Sequence, residues 1–250
     1  MYGVFKEIKD LPNVGLAGDK YYAPEAIVGD YIDYNSSILV IDPSGRGKDE
    51  TAYAVVKMLN GFLYVCECAG VDGGYSKTTL QFLSDKAKEH QVNVVLVESN
   101  FGDGMFSELL KPILKNTYPV TMEEVRHSKQ KELRIIDTLE PVMNQHRLVI
   151  DPKVIQQDYD SVQKYPAEQA QRYMLTYQMT RITKDRGSLA HDDRLDVLAM
   201  GVQYYVDQMA ADAVDLINER KEEVLRDELE KFINGFNVAN KGRSNVMTAF

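Results

Sequence analysis

The chain reads as an α/β protein, a mixed sheet flanked by helices, with a helical extension at its C-terminus. Three observations predict this. Apolar runs of strand length recur between segments of helical period, two of the runs meet at a tight-turn signal, and the region after residue 212 is charged at helical spacing. Residues 1–35 are rich in Gly, Pro and Tyr and have no clear period, so they read as a linker or N-terminal extension.

Ser37 to Ile41 is a continuous apolar run closed by Asp42-Pro43, the pattern of a buried central strand, and Gly45 and Gly47 supply a turn after it. Thr51 to Met58 alternates apolar and polar residues, Asn60-Gly61 signals a turn, and Phe62 to Ala69 continues the alternation. Three antiparallel strands follow. Ser76 caps a helix whose Leu80, Leu83 and Ala87 share a face and which stops near Gln91. Val92 to Val97 is a second buried strand, ending in Glu98.

The alternation goes on with a helix from about Asp103 to Leu114, a short strand near Val120, and a helix from about Lys129 to Met143 with Leu133, Ile136 and Met143 inward. Pro166 to Met179 reads as helical and Thr180 to Leu189 as a polar connection. A strong helix starts near His191, where Leu195, Leu198, Ala199, Val202 and Val206 make one apolar stripe. Asp215 to Phe232 forms a highly charged helix, and Asn234 to Phe250 reads as a mobile tail. These elements divide the chain into an extension (1–35), a central α/β domain (36–211) and a charged helix with a flexible tail (212–250).

Composition bounds the function. With 44% hydrophobic and 27% charged residues in 250, the chain has the balance of a soluble globular protein. Its longest apolar runs, such as Ile38 to Ile41 and Val94 to Val97, are too short to span a bilayer, and Met1 to Lys6 lacks a signal-peptide layout. A cytoplasmic location follows. The cysteines, Cys66 and Cys68, sit two apart, so on one strand they should point the same way as buried structural thiols. The formal net charge of -9 is opposite to a nucleic-acid footprint. Much of the excess acid, however, lies in the C-terminal extension and in candidate metal ligands, where bound cations would offset it.

Acids close the strongest elements: Asp42 ends the first buried strand, Glu98 ends the later one, and Asp192, Asp193 and Asp196 open the long helix. Ligands of open α/β sheets gather beyond strand ends, so these acids can converge. A set of carboxylates suits two hard cations, Mg²⁺ or Mn²⁺, which can activate water and stabilise the leaving oxygen of a phosphodiester. Asp193 and Asp196, three apart, share a helix side and can both face the metals, while Asp192 reads as the helix cap. Taken singly, an acid after a strand is usually a turn residue; the set carries the reading.

Val40-Ile41-Asp42-Pro43-Ser44-Gly45-Arg46-Gly47-Lys48-Asp49-Glu50-Thr51, then Leu96-Val97-Glu98-Ser99-Asn100-Phe101-Gly102, then His191-Asp192-Asp193-Arg194-Leu195-Asp196-Val197-Leu198-Ala199, resembles the nuclease domain of terminase large subunits from short-tailed phages. The three blocks fall in the family's order. The resemblance implies a ribonuclease H-like fold and a two-metal endonuclease that cuts concatemeric viral DNA during genome packaging in the host cytoplasm. Asp42 and Glu98 match the first two metal-binding acids, and Asp193 or Asp196 the third. The partners it implies are double-stranded DNA, a packaging ATPase domain, the portal and the small terminase subunit.

No Walker A loop accompanies it. The nearest stretch, Ser44 to Asp49, has Asp42 where the first glycine belongs and Asp49 where the magnesium-binding hydroxyl belongs. Arg46, Lys48, Lys129, Lys131 and Arg134, with Arg126 and His127 beside them, are candidate phosphate contacts that position DNA without reading sequence. A solvated helix face is the bland alternative for the cluster from Arg126 to Arg134. His191 either orients a carboxylate or caps the helix, and the 15 tyrosines are too scattered for a base-stacking platform. Two rival functions use the same residues: another ribonuclease H-like nuclease, such as a junction resolvase or transposase-like enzyme, or a non-catalytic docking module of the packaging motor.

Overall fold

The computed structural model describes residues 5–11, 18, 20–25, 32–44, 50–99 and 104–244, with side chains described as far as residue 230 except at Phe5 and Ala167. A six-stranded sheet forms its centre, in the order β7 (Thr121–Val125), β6 (Val94–Glu98), β3 (Ser36–Asp42), β4 (Thr51–Leu59), β5 (Phe62–Val71) and β8 (Leu148–Ile150). β3, β4 and β5 are antiparallel neighbours, as the alternation and the Asn60-Gly61 turn require. β6 joins β3 in parallel, β7 joins β6 in parallel, and β8 joins β5 in parallel.

The order follows from burial. β3 is covered on both faces, with Ile38, Leu39, Val40 and Ile41 fully buried, and such a strand belongs in the middle of a sheet. The parallel pairing of β3 with β6 needs a crossover, and α1 (Lys77–Glu89) supplies it. Ser76 accepts from the Thr79 N–H at its start, and Leu80, Leu83 and Ala87 are buried on one face. That face and α2 (Met105–Thr117) close one side of the sheet over Leu39, Ile41, Tyr53, Val55, Val95 and Val97.

The other side is covered by the start of α7 (Asp193–Ser244), where Leu195, Val197, Leu198, Ala199, Met200 and Val202 are buried. Gly201 sets the approach: a Cβ there would lie 2.9 Å from Val56 Cγ2 and 3.2 Å from Val40 Cγ2. The chain divides into two compact units, Met1–Tyr205 and Val206–Phe250, and α7 runs unbroken past residue 212. In the second unit Val214, Leu216, Ile217, Val224, Leu225 and Leu229 are exposed.

Several expectations need correction. The helix α3 (Lys131–Asn144) buries Glu132, Ile135, Thr138, Leu139 and Val142, leaving Leu133 and Met143 exposed. Its inward phase is set by polar partners: Glu132 accepts from the Gly187 N–H at 2.6 Å and Thr138 donates to Gln203 at 2.7 Å. Cys66 and Cys68 do not share a face. The β4–β5 register shifts between Val55 and Val56, so that Val55 faces Glu67 and Val56 faces Val65, and Cys66 is the extra residue of a bulge. Cys66 packs half-buried toward α1 and α2, while the buried Cys68 thiol donates to the Arg194 carbonyl on the other side.

The helix expected over Pro166 to Met179 is two short ones, α5 (Ala167–Tyr173) and α6 (Leu175–Arg181), broken at the extended Met174. β8 and α4 (Pro152–Ser161) were not legible in the apolar pattern. Within 1–35, β1 (Phe5–Ile8) and β2 (Tyr21–Pro24) form an antiparallel pair.

Candidate metal centre

β3 and β6 run side by side and in the same direction, so their last residues, Asp42 and Glu98, end at the same edge of the sheet. The first turn of α7 brings Asp196 to them. Carboxylate oxygens of Asp42, Glu98 and Asp196 all lie within 4.8 Å of one another, although the residues are far apart in sequence. Glu98 is 8% and Asp196 1% exposed.

Such crowding is electrostatically costly. Burial, then the neighbouring Glu98, Asp196 and Asp193 charges, push the Asp42 carboxyl well above the ordinary range, with Lys131 acting the other way. Burial and Asp196 raise Glu98, which is hydrogen-bonded to Asp42. Burial also raises Asp193, with Asp192 and Glu50 adding to the effect against Lys131.

Two cations answer this charge. Lys131 Nζ lies 2.8 Å from Asp192, 3.1 Å from Asp196 and 3.5 Å from Asp193, and Arg134 Nη2 lies 2.6 Å from Asp196 Oδ1. Burial alone would lower the Lys131 ammonium, but Asp196, Asp192 and Asp193 outweigh it and hold the value raised. Asp42, Glu98, Asp192, Asp193 and Asp196 still outnumber Lys131 and Arg134.

The two Asp196 oxygens are buried and meet these cations at ion-pair distance without well-angled hydrogen bonds. An oxygen-only, anionic, under-bonded donor set fits a hard divalent cation. Among the described residues a second cluster, Glu67, Glu89 and His90, has its central acid already occupied: Glu67 Oε1 meets Lys86 at 2.7 Å and His90 at 3.1 Å.

The sequence-predicted residues are thus distributed unevenly. Asp42, Glu98 and Asp196 come together, and Asp193 borders them through Lys131. Lys131 and Arg134 face the acids, whereas Lys129 is exposed on the approach to α3. Arg46 and Lys48 lie outside the described residues. Arg126 is exposed and donates to Ser99 Oγ at 3.1 Å, next to Glu98. Asp192 stands at the head of α7, its carbonyl accepting from the Asp196 N–H at 2.9 Å. The N–H of Leu195 in that turn is taken by Gln178 Oε1 at 3.0 Å, and the Asp192 carboxylate receives Lys131 instead.

Sequence reasoning missed a buried polar cluster behind the acids. Arg194, fully buried, donates through Nε and Nη2 to the two oxygens of Glu50 at 2.7 and 2.9 Å, and through Nη1 to Asp158 and Ser161 at 2.8 Å each. The signal was Arg194 itself, a cation beside the apolar Leu195, Leu198 and Ala199 of the same helix. His191 stacks on Tyr173 at 3.9 Å, and Tyr173 on Tyr165 at 4.2 Å.

Three antiparallel strands extended by three that join in parallel, with acids at the ends of adjacent strands facing a helix, make a ribonuclease H-like fold with a carboxylate centre at its sheet edge. Residues 41–148 match the family described as Terminase Bacteriophage T7, Ribonuclease H-like domain. The chain is 46% identical over 222 residues to the terminase large subunit of Enterobacteria phage T3, a match covering 89% of this chain and 38% of that protein. Residues 41–148 thus match the ribonuclease H-like domain of bacteriophage terminases, and the chain spans about two fifths of that relative's length.

Among solved structures, the human cytomegalovirus terminase nuclease domain, soaked with Mn and inhibitor-bound, superposes with a TM-score of 0.49 at 12% identity, covering 71% of this chain and 86% of that one. The nuclease domain of the large terminase subunit of bacterial virus Sf6 gives 0.46 at 12%, covering 69% and 90%.

Proposed function

We propose that this chain is a divalent-metal-dependent DNA endonuclease that cuts concatemeric viral DNA during genome packaging, with little sequence preference. The observation that carries the reading is the meeting of Asp42, Glu98 and Asp196 within 4.8 Å at the sheet edge. These three hold the cations as anionic oxygen ligands, and Asp193 joins them from the same turn of α7. Two bound Mg²⁺ or Mn²⁺ ions would supply an activated water and charge stabilisation for the leaving oxygen of a phosphodiester.

The chain's own groups do the rest. Asp42 and Glu98, hydrogen-bonded to each other, would hold the ions through their carboxylate oxygens. Lys131 and Arg134 hold Asp196 in place, and their positive charge favours a phosphate brought alongside. Lys129, Arg126 and, in the connection after Asp42, Arg46 and Lys48 contact the DNA backbone, which positions a duplex without reading it.

The catalytic domain in this reading runs from 36 to 211, preceded by an extension and followed by the charged helix and tail. Its partners are double-stranded DNA, the packaging ATPase domain, the portal and the small terminase subunit, in the host cytoplasm. Incubating the purified chain with supercoiled plasmid and Mg²⁺ or Mn²⁺ tests it. Nicking is expected, abolished by EDTA, by Asp42→Asn, Glu98→Gln and Asp196→Asn, and falling steeply with salt. Plasmid left intact at every metal concentration would mark a docking module; a footprint on one short sequence or on branched DNA would mark another ribonuclease H-like nuclease.

A further inference from the structure

We infer that Arg194 is a positioning residue of the metal centre: locked from behind by Glu50 and Asp158, it fixes the rotation of the first turn of α7 and so aims Asp196 at Asp42 and Glu98. The inference rests on the nuclease reading and adds to it the group that sets the geometry.

Successive helical residues are about 100° apart. Arg194 and Asp196 therefore leave the helix on nearly opposite sides, and a turn held by one cannot rotate the other out of place. The hold on Arg194 is rigid. Its guanidinium forms a two-pronged pair with Glu50, whose oxygens it meets at 2.7 and 2.9 Å, and its third nitrogen meets Asp158 at 2.8 Å. A planar fork of this kind fixes direction as well as distance.

Each partner is itself fixed. Glu50 sits at the entrance to β4, whose other neighbour β3 ends in Asp42, so one strand pair carries both the anchor and a ligand. Gly70 makes room for it, since a Cβ at that position would fall 1.9 Å from Glu50 Cδ. Asp158 on α4 also accepts from the N–H groups of Leu175 and Thr176, at 2.8 and 3.1 Å, which ties α6 to the same point. From α6, Gln178 takes the Leu195 N–H at 3.0 Å, and from β5 the Cys68 thiol reaches the Arg194 carbonyl at 3.3 Å.

A role in stability alone explains this less well. Two buried carboxylates around one guanidinium are dear to desolvate, and well-packed apolar residues often replace such clusters without loss. What apolar packing cannot supply is a fixed angle at the end of a helix, where main-chain hydrogen bonds are fewest.

The test uses the full chain with Arg194→Lys, which keeps a charge but loses the fork, and Glu50→Gln, which keeps volume but loses the anionic partner. Leu83→Ala, on the opposite face of the sheet, serves as a control for lost stability. Mn²⁺ affinity is read from the signal of free Mn²⁺ in electron paramagnetic resonance, separately from plasmid nicking, with folding checked by circular dichroism. Both variants are expected to fold and to bind Mn²⁺ about 10–100-fold more weakly, as loss of a supporting shell does at other metal sites. Nicking should need correspondingly more metal, while Leu83→Ala keeps wild-type Mn²⁺ affinity. If Arg194→Lys does not fold, Glu50→Gln decides alone. Wild-type Mn²⁺ affinity in folded Glu50→Gln overturns the inference and leaves the nuclease reading standing. Failure of the wild-type chain to bind Mn²⁺ or nick DNA overturns both.

Discussion

Replacing Asp42 with Asn tests the electrostatics of the metal centre without any substrate. In the metal-free protein Asp42 is pressed against Glu98 and Asp196, and burial together with those charges raises its carboxyl well above the ordinary value. At 4.8 Å, the outer limit of their oxygen separations, two full charges in an effective dielectric of about 20 repel by about 3.5 kcal/mol. Lys131 and the hydrogen bond between Asp42 and Glu98 offset much of this, leaving about 1–2 kcal/mol that Asn would remove, since its amide can still donate to Glu98.

The sign with pH follows from the raised value. Between the ordinary aspartate pKa, about 3.9, and the higher folded one, the native state binds more protons than the unfolded state. Wild-type stability therefore falls as pH rises through that window, and Asn does not titrate. In EDTA at pH 8 the Asp42→Asn variant should melt roughly 2–8 °C above wild type, with the gap closing toward pH 4. Mn²⁺ should reverse the order by stabilising wild type alone. Thermal melts over a pH series measure this. An Asn variant that melts at or below wild type in EDTA at pH 8, or a gap that does not change with pH, would refute the reasoning.

Lys131→Met withdraws the ammonium from Asp192, Asp193 and Asp196. With its side chain 34% exposed, the loss in EDTA should be about 1–2 kcal/mol, short of the 3–5 for a fully buried pair, and saturating Mn²⁺ should restore most of it in calorimetry. Gly201→Ala adds a Cβ 2.9 Å from Val56 Cγ2. Overpacking of about 1–3 kcal/mol should outweigh the helix-propensity gain of up to about 1 kcal/mol, lowering the urea midpoint. Leu198→Ala, fully buried under the sheet, should cost about 2–5 kcal/mol in the same assay.

The sequence by itself determined the central strands β3, β4, β5 and β6, the first helix and the acids. A run such as Ser37 to Ile41 can only be central, and the residue that ends it, Asp42, must then lie at the sheet edge; the same holds for Val94 to Val97 and Glu98. Three-residue spacing placed Asp193 and Asp196 on one side of their helix, and the structure brings Asp196 into contact while Lys131 stands at Asp193. These features are local, because strand and helix periods are properties of neighbouring residues.

Tertiary structure decided what periodicity leaves degenerate. Lys131 to Asn144 carries two apolar stripes, and only Gly187 and Gln203, presented from elsewhere, choose the one with Ile135 and Leu139. A single bulge sends Cys66 and Cys68 to opposite faces. Arg194, a charged residue, is buried because Glu50 and Asp158 meet it from 144 and 36 residues away. Gln178 likewise takes from Asp192 the helix-end N–H that sequence reasoning gave it, which frees the Asp192 carboxylate for Lys131. A hydrogen bond to a buried charge recovers what desolvation costs only where the partner is present, and partners so distant in the chain are chosen by the fold.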